Sequence, residues 1–392
     1  MQTVVVLSFS DLSRDPRVNR QIRFLSEAYE VVAVGLADPG VPGVDFVPVE
    51  LRRRTTVAKL ADGTRLLARR FESFYWRQHH IAQTLERLAG VRADVIVANE
   101  IDALPVALRI GGACGARVIF DAHEYSPLEL EDRLVFRLFF RRYREYLCRT
   151  YIPRVDGMMT VCESIAEAYE RDTGVRPVVV FNAPDYEELE PVVRGSEDRT
   201  IRLVHHGGAH PSRKLENMIE MMRHLDGRFR LDFLLVPGPG GYLDALKRRA
   251  AGDERIRFLE PVPMRELPRF LNAYDVGVYI LPPNSFNARF ALPNKLFEYI
   301  QARLAVAVSP SPEMARVVRE AGCGVVSRDF TAEAMAEALR SLDREQIEAY
   351  KRRSHEAARE LSAERSRTTV LELVDRAIQR GLDHEAQARI SR

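Results

Sequence analysis

Residues 202–216 read Arg-Leu-Val-His-His-Gly-Gly-Ala-His-Pro-Ser-Arg-Lys-Leu-Glu. A short apolar run ends in paired glycines and passes at once into a helix-like stretch, the way a parallel strand hands over to its crossover helix. Its place makes it decisive: it lies midway along 392 residues, just after the polar, Pro- and Glu-containing segment 182–199, which has no periodicity and fits a linker. Upstream, strands are expected near 3–7, 30–35, 45–49, 94–98, 117–120, 158–161 and 178–181, with helical patterns such as 16–29 and 102–111 between them. Downstream the pattern restarts, with strands near 202–206, 231–236, 255–259, 275–280, 305–308 and 324–326 and helices near 215–224, 241–250, 264–273, 295–302 and 312–321. Apolar strands alternating with helices signal a parallel sheet covered on both faces. The expectation is an α/β chain of two Rossmann-like, doubly wound parallel-sheet domains facing across a cleft, with ligands at the carboxyl ends of the strands. The tail, 346–381, reads as one or two charged amphipathic helices.

Bulk composition fits this picture. Two domains are the default for this length, and 46% hydrophobic with 29% charged residues is ordinary globular usage. A net charge of +2 argues against a general nucleic-acid binder. Four scattered cysteines without CxxC spacing read as free thiols in a reducing compartment and suggest no metal site. No signal peptide and no apolar run of the ~18 residues needed to span a bilayer is visible, so a cytoplasmic protein is expected. Lysine is scarce (Lys59, Lys214, Lys247, Lys295 and Lys351), which draws attention to each one.

Four segments carry candidate chemistry. Ala291-Leu-Pro-Asn-Lys-Leu-Phe-Glu-Tyr-Ile-Gln-Ala302 follows a strand and a polar loop. Pro293 suits a first helical turn and Asn294 can cap it; a helix start aimed into a cleft binds phosphate through free N–H groups. Lys295 adds a charge there, and Glu298, one turn on, can accept both hydroxyls of a ribose. An ordinary capped helix with a surface lysine and glutamate is the competing reading. In the opening stretch, Gly207 and Gly208 allow close approach to a diphosphate, and Arg213 and Lys214 can neutralise it. A tight turn with exposed cations competes here. The pattern is not GxGxxG, which disfavours a dinucleotide cofactor and an NAD-dependent oxidoreductase.

Phe120-Asp121-Ala-His123-Glu124-Tyr125 sets three ionisable groups at a strand's carboxyl end, where His123 can hydrogen-bond a sugar hydroxyl or shuttle a proton. The carboxylates flank the histidine too closely to point one way together, so a metal is not expected. The loop 8–20, with Ser10 and Asp11, lines the same end; Asp15 followed by Pro16 reads as an N-cap and first turn. Two basic aromatic stretches, 65–80 and 133–149, read either as helices packed on the first sheet or as interfacial helices at the inner face of a membrane.

Taken together, Asp15-Pro16-Arg17-Val18, Asp121-x-His123-Glu124, His206-Gly207-Gly208 leading to Arg213-Lys214, and Leu292-Pro-Asn-Lys-Leu-Phe-Glu298-Tyr resemble retaining glycosyltransferases of family four, which have the GT-B fold. The resemblance runs from the first strand to about residue 340. It implies an acceptor-binding domain over 1–185, a linker at 186–199, a nucleotide-sugar-binding domain over 200–360, and a last segment, 361–392, crossing back to the first domain. It implies that Glu298 holds the ribose, Lys214 the donor diphosphate, and His123 the region near the donor sugar. The loop 260–263, ending in Pro263, would read the base; Gly207, Gly208, Arg213, Asn294, Lys295 and Leu296 complete the donor side. Ser10, Asp11, Asp121 and Glu124 fall on the acceptor side. Two positions depart from the family's pattern: Phe290 stands where the first of two paired glutamates is expected, and Gly208 where an arginine often follows the glycine.

The expected activity is metal-independent transfer, with retention, from a UDP- or GDP-linked sugar to a saccharide, lipid-linked or natural-product acceptor, with no cofactor beyond that co-substrate. Two rivals stand beside it: a sugar-nucleotide 2-epimerase of the same fold, and a non-catalytic partner of a true transferase.

Overall fold

The computed structural model describes residues 2–390 apart from 53 and 196, with the backbone alone for 383–390. Met1, Arg53, Ser196, Ser391 and Arg392, which fall within the ranges assigned above, lie outside the described residues. The chain divides into two compact units, residues 1–180 with 366–392, and residues 181–365.

The first unit holds a seven-stranded sheet: β1 (Thr3–Leu7), β2 (Glu30–Gly35), β3 (Asp45–Pro48), β4 (Val95–Asn99), β5 (Arg117–Ala122), β6 (Gly157–Thr160) and β7 (Val178–Val179). Their order is β3-β2-β1-β4-β5-β6-β7 and every pairing is parallel. In β1, Val4 and Val6 face one way and Val5 and Leu7 the other, and all four are fully buried. Both faces of the sheet are therefore covered, which is why these strands read as unbroken apolar runs. One face packs on Val18, Ile22 and Leu25 of the helix Pro16–Ser26. The same cluster takes Val370, Leu373, Val374, Ala377 and Ile378 from the last helix, Ala363–Ile390. The helix Pro16–Ser26 begins where the sequence places it: Asp15 Oδ1 accepts from Val18 N at 3.2 Å, and Pro16 opens the first turn.

The second unit repeats the plan with β8 (Ile201–Gly208), β9 (Phe229–Val236), β10 (Ile256–Leu259), β11 (Val276–Tyr279), β12 (Ala305–Val308) and β13 (Gly324–Val326), ordered β10-β9-β8-β11-β12-β13, again all parallel. β8 runs two residues further than its apolar pattern, because Gly207 and Gly208 continue to pair with Leu235 and Val236. The single helix expected at 264–273 is a 3-10 turn, Met264–Glu266, followed by a short helix, Leu267–Leu271. Pro268 is the reason: lacking an N–H, it is accepted only in a first turn.

The polar segment read as a linker is a strap tied to the second unit. Arg303, fully buried, donates through Nη2 to Glu187 O at 2.5 Å and through Nη1 to Gln301 O at 2.6 Å. Asn272 Nδ2 reaches Glu190 O at 3.0 Å, and Ala363 N reaches Pro184 O at 2.8 Å. The bonds to Glu187, Glu190 and Pro184 come from residues distant in sequence, so no local pattern announces them. Among the described residues no helix is long and apolar enough to cross a membrane.

Replacing Arg303 with Met should release the strap. We expect a loss of about 3 kcal/mol in denaturant unfolding, together with new protease cleavage between residues 184 and 195. Unchanged stability would show that the strap does not depend on this guanidinium.

Candidate functional site

In each sheet the chain direction of the crossovers reverses between two neighbouring strands, β1 and β4 in the first unit, β8 and β11 in the second. Such switch points open a crevice at the carboxyl ends of the strands. In the second unit the β8–β11 ladder pairs only Leu203 with Val276 and Val204 with Gly277 before the strands part. Gly277 lets the helix Asn294–Gln301 lie close: a Cβ there would stand 2.3 Å from the Tyr299 ring. That close approach carries Lys295 over the ring of Tyr279, with Nζ 3.9 Å from the centroid.

Lys295 is the unusual group. It is only 6% exposed, and its ammonium has no hydrogen-bond partner among the described residues. It faces Gly207, where a Cβ would lie 3.4 Å from Lys295 Nζ and 3.5 Å from Arg213 Nη1. Gly207 has φ of +122°, which itself demands glycine. Burial holds the lysine well below its ordinary value, Arg213 adds to the effect, and Glu298 opposes it. His206, buried and 3.3 Å from Glu298 Oε2, is pushed down to about 3 by burial, then by Lys295 and Arg213. His206 Nε2, His205 Nε2 and Lys295 Nζ all lack a hydrogen-bond partner among the described residues. Lys295 Nζ, buried beside Gly207 and next to Arg213, is a group that an anion would satisfy, since such groups are costly when left without a partner.

The structure sorts the donor-side candidates. Gly207, Gly208, Arg213, Lys295 and Glu298 come together; Arg213 Nη1 also donates to Gly208 O at 3.1 Å. Lys214 turns away: its φ is +50°, its side chain is 52% exposed, and its Nζ lies 3.9 Å from Glu216. Asn294 is not the cap. Pro293 occupies that position with no side-chain bond, and Asn294 is the first helical residue. Leu296 is a packing residue whose N–H is taken by Pro293 O at 3.1 Å. Pro263 precedes the turn Met264–Glu266. Phe290 packs against Phe286 at a tilt of 56°, centroids 4.8 Å apart, and Arg289 lies over its ring.

On the first unit a chain of hydrogen bonds has a fixed direction. Arg17 grips the buried Asp121 twice, at 2.9 and 2.6 Å. Gln21 Nε2 donates to the same carboxylate at 3.0 Å, so its Oε1 is left to accept from Asn99 Nδ2 at 2.9 Å. Asn99 Oδ1 is then an acceptor for His123 Nε2 at 3.1 Å. This polarity sets the tautomer: Nε2 carries the proton and Nδ1 presents a lone pair. Burial, partly offset by Asp121, lowers His123 below its ordinary value and keeps it neutral. Its Nδ1 meets Glu100 Oε1 at 3.2 Å. Burial, then the charges of Glu129 and Glu124, push the Glu100 carboxyl up, tempered by the 38% of its side chain still open to water. Glu100, 3.2 Å from Nδ1, stands at the end of the chain.

Glu100 was not among the sequence candidates. Its signals are a non-glycine φ of +64° and a place at the carboxyl end of β4, the logic that singled out His123 after β5. Asp121 is wholly buried and orients the others, while Glu124 is exposed. Ser10 Oγ donates to the capping Asp15 at 2.9 Å, and Asp11 closes a turn by accepting from Ser13 Oγ at 2.6 Å, so both are spent on local loop structure. Among the described residues no group of three His, Cys, Asp or Glu could hold a metal ion.

The fold and these sites define the class: a GT-B glycosyltransferase. Residues 17–188 match the model described as Glycosyltransferase Family 4, and residues 200–344 that described as Glycosyl transferases group 1. The chain belongs to the family-four glycosyltransferases. A comparison with curated proteins returns no match. Among solved structures, sucrose-phosphate synthase from Thermosynechococcus elongatus is 14% identical with a TM-score of 0.69, over 95% of this chain and 98% of that one. HepE from Anabaena is 12% identical with a TM-score of 0.69, over 96% and 100%. The trehalose-phosphate synthase of Burkholderia vietnamiensis is 14% identical with a TM-score of 0.66, over 96% and 100%. At these identities the likeness is one of fold.

Lys295→Met should stabilise the unliganded protein by roughly 1–3 kcal/mol, since it removes an unpaired buried cation, while abolishing diphosphate binding; Lys214→Met should do neither. Thermal melts with and without UDP or GDP check both. A bound diphosphate raises the lowered pKa of Lys295, so above the unliganded value binding takes up a proton. Affinity should then fall with rising pH, by up to about tenfold per unit. Calorimetry in buffers of different ionisation enthalpy reads the proton directly; no uptake at any pH would contradict the assignment.

Proposed function

We propose that the chain moves a sugar from a nucleoside-diphosphate sugar to an acceptor hydroxyl, with retention, in the cytoplasm, and without a metal or other cofactor. The observation that carries this reading is the buried, unpartnered Lys295 ammonium beside Arg213 at the glycine-lined end of β8. Leaving-group charge on a diphosphate needs fixed cations in a dry setting, and these two supply it without a metal. The N–H groups at the start of Asn294–Gln301 add to that field, and Glu298 accepts the ribose hydroxyls. UDP and GDP are the donor bases to test first. Among the neighbours of this fold, HepE was solved with UDP and with UDP-glucose, and the Burkholderia enzyme is described as UDP-forming.

The second unit takes the donor and the first the acceptor, which can be a saccharide, a lipid-linked sugar or a natural product. In the transfer step the bond from C1 to the diphosphate breaks while the acceptor oxygen bonds C1 on the same face. The acceptor proton passes to a leaving phosphate oxygen. His123, neutral and held as the Nε2–H tautomer, positions the sugar rather than acting as the main base. Lys214, exposed in the unliganded protein, is left with a supporting role at most.

The test is a melting screen against UDP, GDP, TDP and their sugars with and without EDTA, followed by transfer assays. Stabilisation by one diphosphate, indifferent to EDTA and lost in Glu298→Ala, is expected. His123→Ala should keep nucleotide binding and lose about 100-fold in kcat; full activity in this variant would remove its role. Altered free sugar from donor alone would identify an epimerase. Binding to no nucleotide would favour the non-catalytic partner, the reading that Phe290 in place of a glutamate motivates.

A further inference from the structure

The helix Thr56–Leu67 is inside out. Val57, Leu60, Thr64 and Leu67, at spacings of three, four and three, form one stripe, and its three apolar members are 64–77% exposed. Its inward face carries Leu66, the buried Asp62, and Gly63, whose missing Cβ would sit 3.6 Å from the Phe139 ring. Asp62 is tolerated there because Arg54 and Arg65 pair with it. A helix that serves only its own domain turns the apolar stripe to the core and the acid to water; this one does the reverse.

The element against which Gly63 packs repeats the feature. Around the π-turn Phe136–Phe140, Phe136 is buried, as is Tyr143 in the helix Arg141–Tyr151 that follows. Leu134, Val135 and Leu138 stand 59–63% exposed beside them. The aromatic side chains of both basic stretches thus serve the core (Phe71, Phe74 and Tyr75 are buried too), while aliphatic ones face water. Cations surround this surface. Residues 51–70 hold seven Lys and Arg against one Asp, and 133–149 hold six Arg against one Glu, in a chain whose net charge is +2. Lys59, Arg69, Arg70, Arg137 and Arg142 make no ion pair among the described residues.

We propose that the paired surface of Thr56–Leu67 and residues 134–138 is a docking face for an anionic lipid bilayer, its aliphatic side chains entering the headgroup boundary and its arginines meeting lipid phosphates. Contiguous exposed apolar surface marks an interaction site, and apolar side chains rimmed by cations are what an interfacial element needs. The long stems of Lys and Arg let the charge sit at headgroup level while their methylenes lie beside the leucines. The charge chooses the occupant. A second copy would bring the same cationic surface face to face with itself, which like-charge repulsion opposes.

The experiment is flotation of the full chain with vesicles of phosphatidylcholine alone or with about 30% phosphatidylglycerol, an anionic lipid. Binding to anionic vesicles only, weakened by salt, is expected. The triple substitution Val57→Ser, Leu60→Ser and Leu67→Ser, and separately the pair Arg137→Glu and Arg141→Glu, should each weaken it by roughly tenfold or more. All five positions are exposed, so circular dichroism and nucleotide-induced melting shifts should match the parent, which separates this test from that of the donor site. Failure of the parent to float with anionic vesicles would overturn the proposal, as would binding that the variants leave intact. So would sedimentation showing a dimer that the triple substitution dissociates, which would assign the face to a second copy.

Discussion

A parallel sheet has two unlike ends, and that constraint organises everything else in this protein. Because every strand in both units runs the same way as its neighbours, every loop leaving a carboxyl end falls on one rim. The switch points at β1–β4 and β8–β11 then decide where along each rim a crevice opens. His123, Glu100 and Asn99 reach one such rim from β4 and β5; His206, Gly207 and Lys295 reach the other from β8 and the helix after β11. None of these groups could be assembled by neighbours in sequence.

The two sites solve opposite electrostatic problems. On the first unit each polar group is satisfied by the next, from Arg17 through Asp121, Gln21 and Asn99 to His123. The result is an imidazole held in one tautomer. On the second unit a buried lysine ammonium has no hydrogen-bond partner among the described residues and stands beside an arginine and a glycine, with two buried histidines whose pKa burial lowers. A corner in that state is unfavourable without a ligand and favourable with an anion. Its cost to the fold and its use to the reaction have the same origin.

Much of the architecture was legible in the sequence because burial on both faces writes each parallel strand as an uninterrupted apolar run. β1, β2, β12 and β13 begin and end where the run does. Boundaries slipped where backbone chemistry overrides hydrophobicity: the glycines that prolong β8, and Pro268, which restarts a helix. That the linker segment is tied down as a strap is not visible in the sequence, because its anchors are main-chain carbonyls, which any sequence possesses, gripped by Arg303 and Asn272 from far along the chain. Strand-end position places Gly207, Arg213 and Lys295 together and His123 beside Asp121, but Ser10 and Asp11 are taken up by their own loop, and a left-handed backbone at Lys214 leaves that side chain exposed.

The sequence by itself determined the class of fold, the doubling of the plan and the strand ends where candidate residues gather, because periodicity and glycine placement are local properties. Only the tertiary structure decided which cation faces the glycines, which nitrogen of His123 holds its proton, that Glu100 stands beside it, and that the helix Thr56–Leu67 turns its apolar stripe to water. Each of these depends on burial and on the direction of hydrogen bonds between residues distant in the chain, quantities that exist only once the sheets have formed.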